Sequence, residues 1–334
     1  MEYAARPLIP KAGGRPAGAP AQGRRRGLVV MLLVDLDPEL AALRPLGGFF
    51  VLRTTAGARR PPAPLPPTLA ETYATAATAA TAATAATAAP APADGATAAE
   101  GTARDALTSR VATVADRLRT GEARVAASIA HQGLAARLWS TALACAALYG
   151  RLPDLGPRLL RWDGAAPAPD DLWLTEVRAA PGDPATLAET VLHAHLRPLG
   201  EALTARYGVA AGLLWGNAGS ALAGAARELD RWARAHGRTD VADRARRLTG
   251  DLFAHPLLRT TGTRTPGTTR TPGTGATGTG TTGPGTGTMG PGTHPVPAFR
   301  RRSCCLYYRV PGGGVCGDCC FTRPPRSSPG AASG

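Results

Sequence analysis

Five of the six cysteines in this 334-residue chain fall within seventeen residues, in FRRRSCCLYYRVPGGGVCGDCCF: Cys304 and Cys305, then Cys316, Cys319 and Cys320. Four thiolates gathered so closely make a metal site. Cys316 and Cys319 form a Cys-x-x-Cys pair, and Gly317 and Asp318 suit the tight bend that turns both sulfurs toward a common metal. Cys304 and Cys305 pose a different problem, because adjacent residues of an extended chain point to opposite sides. Both can be ligands only where the backbone turns sharply or where the centre offers two irons. A binuclear iron-sulfur cluster therefore fits the spacing better than a single tetrahedral ion. Gly312 to Gly314 stand just ahead of the second pair, where backbone amides must come close to sulfur and can take positive φ. Such N–H groups help set a cluster's reduction potential.

Two other chemistries use clustered cysteines. A four-cysteine zinc knuckle with Arg300 to Arg302 on phosphate is one, but zinc sites usually pair two Cys-x(2 to 4)-Cys knuckles and the first is missing here. A disulfide framework is the other, and it belongs to small secreted domains rather than to a long chain with one thiol-rich tail. Cys145 lies apart in the apolar stretch STALACAALYG, where it is expected to pack rather than ligate.

The elements that must position these thiols are mostly helical. Apolar residues recur at helical spacing over 104–119 and 122–149, closed by Thr120-Gly121 and by Gly150. A helix over 185–207 starts after Asp183-Pro184, and Pro198 should kink or divide it; helices over 210–235 and 239–253 complete the set. Strand-like pieces are few: Leu28 to Leu36, Gly48 to Arg53, Leu159 to Trp162 and Leu172 to Val177. The expected fold is mainly α with a small β component (α+β), a single helical domain with a C-terminal cysteine-rich segment. Residues 1–27 read as a disordered basic N-terminus, 28–259 as the body with a low-complexity Ala/Thr insertion at 54–103, and 260–297 as a Gly/Thr/Pro linker. Residues 298–323 carry the cysteines, and 324–334 read as a disordered tail. A flexible linker of roughly forty residues spans about 30 to 40 Å, enough for the cysteine segment to dock back on the body. Leu306, Val310, Val315 and Phe321 give that segment an apolar side.

The pattern Cys-Cys-x10-Cys-x2-Cys within RRSCCLYYRVPGGGVCGDC resembles the C-terminal cluster segment of the FhuF-like family of ferric-siderophore reductases. Upstream, Ser128 to Leu155, Asp171 to Glu176 (DLWLTE) and Leu213 to Ala225 (LLWGNAGSALAGA) are similar, in the same order, to the body of its actinobacterial members; together with the tail and their surroundings these stretches cover about half the chain. The resemblance implies a [2Fe-2S] cluster on Cys304, Cys305, Cys316 and Cys319, passing one electron to Fe(III) held in a siderophore, hydroxamates being the expected type. Cys320 lies outside the pattern; it either substitutes for Cys319 or is a free thiol beside the site, and the two-residue spacing favours Cys319.

No Gly-rich nucleotide loop occurs on a strand-to-helix turn and no flavin signature is present, so electrons are expected from a separate one-electron carrier such as a ferredoxin. Its net charge is +14, and Lys11 is the single lysine. An arginine excess of this kind, with abundant Ala, Gly and Pro, follows from a high-GC coding sequence without selection for a ligand. Arg24 to Arg26 and Arg300 to Arg302 nevertheless suit an acidic redox partner or an anionic siderophore better than nucleic acid. The apolar run Leu28 to Val34 is too short to span a membrane, and a cytoplasmic protein is expected. Tyr307, Tyr308 and Arg309 lie between the cysteine pairs, facing the chelate or packing the loop. Asn217 and Ser220, polar among small residues, form a cluster-docking or substrate surface or, in the favoured reading, make local helix-packing bonds. His131, before Gly133, is expected at a helix break, as a cap or pocket residue rather than a ligand. His193 and His195, two residues apart on a helix, face different ways and are no metal pair. A redox-sensing regulator would need a basic recognition helix, which these alanine-rich helices lack, and a siderophore-binding protein would not need the four cysteines.

Overall fold

The computed structural model describes residues 40–56, 62, 64–76, 78, 105–265 and 298–325. Its helices begin and end where local chemistry dictates. Helix α1 covers 69–76, opened by a reciprocal cap in which Thr68 Oγ1 accepts from Glu71 N at 3.1 Å and Glu71 Oε2 accepts from Thr68 N at 2.7 Å. Helix α2 (Ala106–Leu118) starts at Asp105, whose carboxylate accepts from Thr108 N at 2.9 Å. Helix α3 (Ala123–Tyr149) ends at Gly150 with φ 70°, a left-handed position that glycine takes without steric cost. Helix α4 (Pro184–Ala188) is capped by Asp183. It runs into a π-helical segment, Glu189–Leu196, before α5 (Arg197–Tyr207) resumes. The expected division at Pro198 thus takes the form of a wide turn just ahead of the proline, which sits in the first turn of α5 where no N–H is needed. Helices α6 (Ala211–Ala235) and α7 (Thr239–Ala254) follow.

Helix α3 is the axis of the molecule. It is apolar on all sides, and its Ala-rich surface lets α2, α5, α6 and α7 pack around it, α6 most extensively. Three small sheets decorate this bundle. Strands β1 (Arg53–Thr54), β3 (Leu160–Trp162) and β4 (Leu172–Leu174) form one in the order β1-β4-β3, parallel then antiparallel. Strands β2 (Arg151–Pro153) and β5 (Ala179–Pro181) form the second, and β6 (Gly262–Thr265) with β7 (Ala298–Arg301) the third, both antiparallel. Arg137 of α3, 1 % exposed, fastens the first sheet: its guanidinium donates to Asp171 at 3.1 Å and to the carbonyls of Gly48 and Phe49. Arg110 reaches the same carboxylate at 3.4 Å.

The fold class is as expected, mainly α with a small β component. Several local expectations need correction. Gly48 to Arg53 is mostly turn and contributes only the start of β1, while β2, β5, β6 and β7 carried no clear strand pattern. Part of the stretch read as a low-complexity insertion is built into the core, since Leu69 and Ala76 are fully buried and the Tyr73 hydroxyl bonds His195. His195 Nε2 meets the Leu155 carbonyl at 2.6 Å, which can only accept; the Tyr73 hydroxyl therefore donates to Nδ1 at 3.0 Å. His131 lies within unbroken α3, Gly133 included. The expected strand 28–36, residues 1–27 and most of the Ala/Thr and Gly/Thr/Pro tracts lie outside the described residues.

Candidate metal centre

The cysteine segment is folded against the body. Strand β7 alternates exposed and buried residues, turning Phe299 and Arg301 inward, and pairs with β6 so that Gly262 faces Arg301 and Thr265 faces Ala298. Phe299 packs on Phe253 with ring centroids 5.2 Å apart. Helix α6 accepts this strand because it carries glycine at the contact. A Cβ on Gly219 would lie 2.6 Å from Thr261 Oγ1 and 3.2 Å from Phe299, and one on Gly216 would collide with Ser303 Oγ.

A buried polar chain then ties α3, α6 and the cysteines together. Ser128 Oγ donates to the Cys305 carbonyl at 2.8 Å. Asn217, fully buried, donates to Ser128 O at 2.8 Å and accepts from the Arg301 guanidinium. Ser220 donates to the Asp318 carboxylate at 2.7 Å, and Arg227 pairs with it at 3.1 Å. These bonds link distant segments, so Asn217 and Ser220 form the seat of the cysteine segment and not the local helix bonds favoured from sequence. Arg301, expected among the free arginines, is 2 % exposed and held by this seat. Arg300 and Arg302 remain exposed. Arg309 pairs with Glu122 at 2.7 Å, and Tyr308 meets Phe321 edge-on at 5.9 Å, both holding the loop. Val310 is buried, whereas Val315 and Phe321 are exposed at 38 % each, with Tyr307 at 37 %.

The backbone turns where the sulfurs require it. Leu306, directly after the cysteine pair, has φ 68°, and its N–H lies 3.2 Å from Cys304 Sγ. Cys319 N bonds Cys316 O at 3.0 Å, closing the turn through Gly317 and Asp318. Gly313 leaves no room for a side chain, lying against the carbonyls of Tyr307 and Val310. Cys305 and Cys316 come together with Sγ atoms 3.6 Å apart. The Sγ atoms of Cys304, Cys319 and Cys320 lie within 4.8 Å of one another, so the fifth thiol, outside the expected pattern, also faces the site. Cys145 is buried in α3, away from them. His193 lies beside His255, with ring centroids 5.3 Å apart, while His195 faces Tyr73 and Leu155; the two do not converge.

Charge is distributed unevenly over the thiols. The hydrogen bond between Cys305 and Cys316 draws the Cys305 thiol down to about 6 and pushes its partner up, so the pair shares one proton. The positive charge of Arg301 stabilises both as thiolates. Burial pushes Cys304 up to about 11, and burial first, then the nearby Cys319, raises Cys320. Half-buried thiols of this kind gain most from a metal cation, which deprotonates them. The donor set, the two groups of sulfurs and the amides of Leu306 and Phe321 aimed at Cys304 and Cys319 at 3.2 and 3.4 Å fit an iron-sulfur cluster.

A helical body carrying a docked segment of converging cysteines has the make-up of a metal-binding protein. Residues 131–266 match the family described as ferric iron reductase FhuF-like transporter, and residues 301–321 match the FhuF 2Fe-2S C-terminal domain. The two matches, in chain order, support an FhuF-like family member. None of the curated proteins gives a match. Among the described residues, no helix is long and apolar enough to cross a membrane.

Proposed function

We propose that the chain is a ferric-siderophore reductase that holds a [2Fe-2S] cluster on Cys304, Cys305, Cys316 and Cys319 and reduces chelated Fe(III) by one electron. The observation that carries this reading is the convergence of the thiols in two groups, Cys305 with Cys316 and Cys304 with Cys319 and Cys320, a donor set that would hold a two-iron centre with Cys320 in excess. When bound, the cluster supplies reversible one-electron transfer. The chain's own residues set how readily that electron is given. The Leu306 and Phe321 amides and the buried Arg301 charge stabilise the sulfur-rich centre, and burial of Cys305 and Cys319 keeps water from one side.

The substrate is Fe(III) in a hydroxamate chelate. Fe(II) binds hard oxygen ligands less well, so the single electron that reduces the iron also loosens it, with no other bond made or broken. The electron comes from a separate one-electron carrier of the ferredoxin kind, and exposed Arg300 and Arg302 beside the cysteines offer an acidic carrier a cationic edge. We place the reaction in the cytoplasm, where thiols stay reduced.

The test is the visible and electron paramagnetic resonance spectrum of protein purified without oxygen, reduced by dithionite and then mixed with a ferric hydroxamate. A reduced [2Fe-2S] signal that vanishes as ferric chelate is consumed is the expected result. A colourless protein with one zinc would overturn it.

A further inference from the structure

The first turns of α6 have two occupied sides. On one, the Leu213 carbonyl takes a bond from Arg301 at 3.5 Å and Ser303 Oγ donates to the Gly212 carbonyl at 3.1 Å, so this side carries the cysteine segment. On the other, Leu214 and Trp215 help to wall a recess of about 460 Å³, completed by α5 and by Leu257. The recess and the cysteine segment are therefore separated by little more than one helix, roughly 10 Å.

The lining has a specific chemistry. His131 reaches the recess from α3 at 1 % exposure, and its Nδ1 has no hydrogen-bond partner among the described residues. A buried, unpaired imidazole nitrogen is costly unless something completes it. Burial, with the Arg301 charge adding to it, pushes His131 down to about 3, so the ring is neutral. A neutral imidazole bonds amides and hydroxyls and does not select anions. Leu196, Leu214 and Leu257 with the Trp215 indole offer apolar contact, and the rim carries one charge of each sign, Arg197 and Glu201. A chain of methylenes interrupted by uncharged amide-type groups matches each of these features, and the volume lies in the range of small-molecule sites.

We propose that this recess binds the organic arm of a ferric hydroxamate chelate through its methylene and amide groups, leaving the metal end toward the cysteine segment. The proposal rests on the reductase reading for the identity of the ligand. It identifies His131, Leu214 and Trp215 as substrate-binding residues.

The experiment is calorimetric titration of the cluster-loaded full chain with the gallium(III) complex of desferrioxamine B, which keeps the shape of the ferric complex but takes no electron. Ala205→Trp plugs the recess from an exposed position on α5, and His131→Leu removes its polar partner. Each should weaken gallium-complex binding at least tenfold while leaving the visible spectrum of the cluster unchanged, and metal-free desferrioxamine B should compete. Unchanged affinity in Ala205→Trp, with the ferric complex still reduced, would overturn the recess and leave the reductase reading standing. A wild-type protein that shows a cluster yet binds neither the gallium nor the ferric complex would overturn both.

Discussion

Replacing Asn217 by alanine isolates the buried polar chain that seats the cysteine segment. In the native protein Asn217 accepts from Arg301 and donates to Ser128, and Ser128 in turn holds the Cys305 carbonyl. Alanine leaves the Arg301 guanidinium at 2 % exposure with only long contacts, 3.4 Å to Gln132 Oε1 and 3.5 Å to the Leu213 carbonyl. A hydrogen bond to a charged group contributes about 1.5 to 3 kcal/mol and a neutral one about 1 kcal/mol. The Arg301 bond exists only when the segment is docked, whereas the Ser128 bond lies within the body. About 1.5 to 3 kcal/mol of the loss therefore falls on docking, and at about 1.4 kcal/mol per decade this raises the undocked population roughly 10- to 150-fold. Native-state hydrogen exchange reads this directly, because the Arg302 amide bonds Thr261 O across the interface at 2.9 Å, whereas the Arg301 amide bonds Asp318 O within the segment itself. The Arg302 amide should exchange faster by that factor, while amides inside α3 change by less than tenfold. Asn217→Asp, which keeps an acceptor for Arg301, should restore most of the protection. An increase below about threefold at Arg302 in the alanine variant would refute the argument.

Three further predictions follow from the same contacts. His131 and His195 are fully buried and held neutral, at about 3 and about 4 against an ordinary 6.5, chiefly by desolvation. The unfolded chain takes up their protons first, so the stability they contribute is complete above pH 6.5 and falls as pH drops toward 4, by up to about 1.4 kcal/mol per histidine per unit. Urea midpoints should be clearly lower at pH 5 than at pH 7, and a flat profile would count against it. Asp171→Asn leaves Arg137 and Arg110 buried without their counter-charge and should cost about 3 to 5 kcal/mol, seen as a large drop in Tm. Cys316→Ser should abolish the reduced-cluster spectrum, whereas Cys320→Ser should keep it; the reverse ranking would exchange their roles.

The sequence disclosed more of the helices than of their attachments. Asp183-Pro184 and Gly150 mark helix ends by chemistry that acts within a turn, and the structure uses them as written. Helix α1 had a local signal too, since Thr68 and Glu71 stand at capping-box spacing, but the following Ala/Thr tract masked it. The β6 and β7 ladder was not legible, because Gly262–Thr265 has almost no apolar residue and its partner lies beyond a long tract of glycine and threonine. Arg301 read as part of a surface run. Only the two-residue period of a strand, which pairs it with Phe299 on the inner face, separates it from Arg300 and Arg302. The cysteines were legible as a group through spacing alone, but the way their sulfurs divide depends on the left-handed turn at Leu306, a residue type that gives no hint of it.

The seat of the cysteine segment also fixes an order of assembly. Ser128 and Cys305 are 177 residues apart, and the surface that receives the segment exists only where α3 and α6 have already met. Until the body closes, the segment has nothing to lie on and its thiols stand open to oxidants and stray metal. Maturation therefore waits on a long-range step of folding, and a substitution that delays the meeting of α3 and α6 lowers the fraction of correctly loaded protein without touching a single ligand.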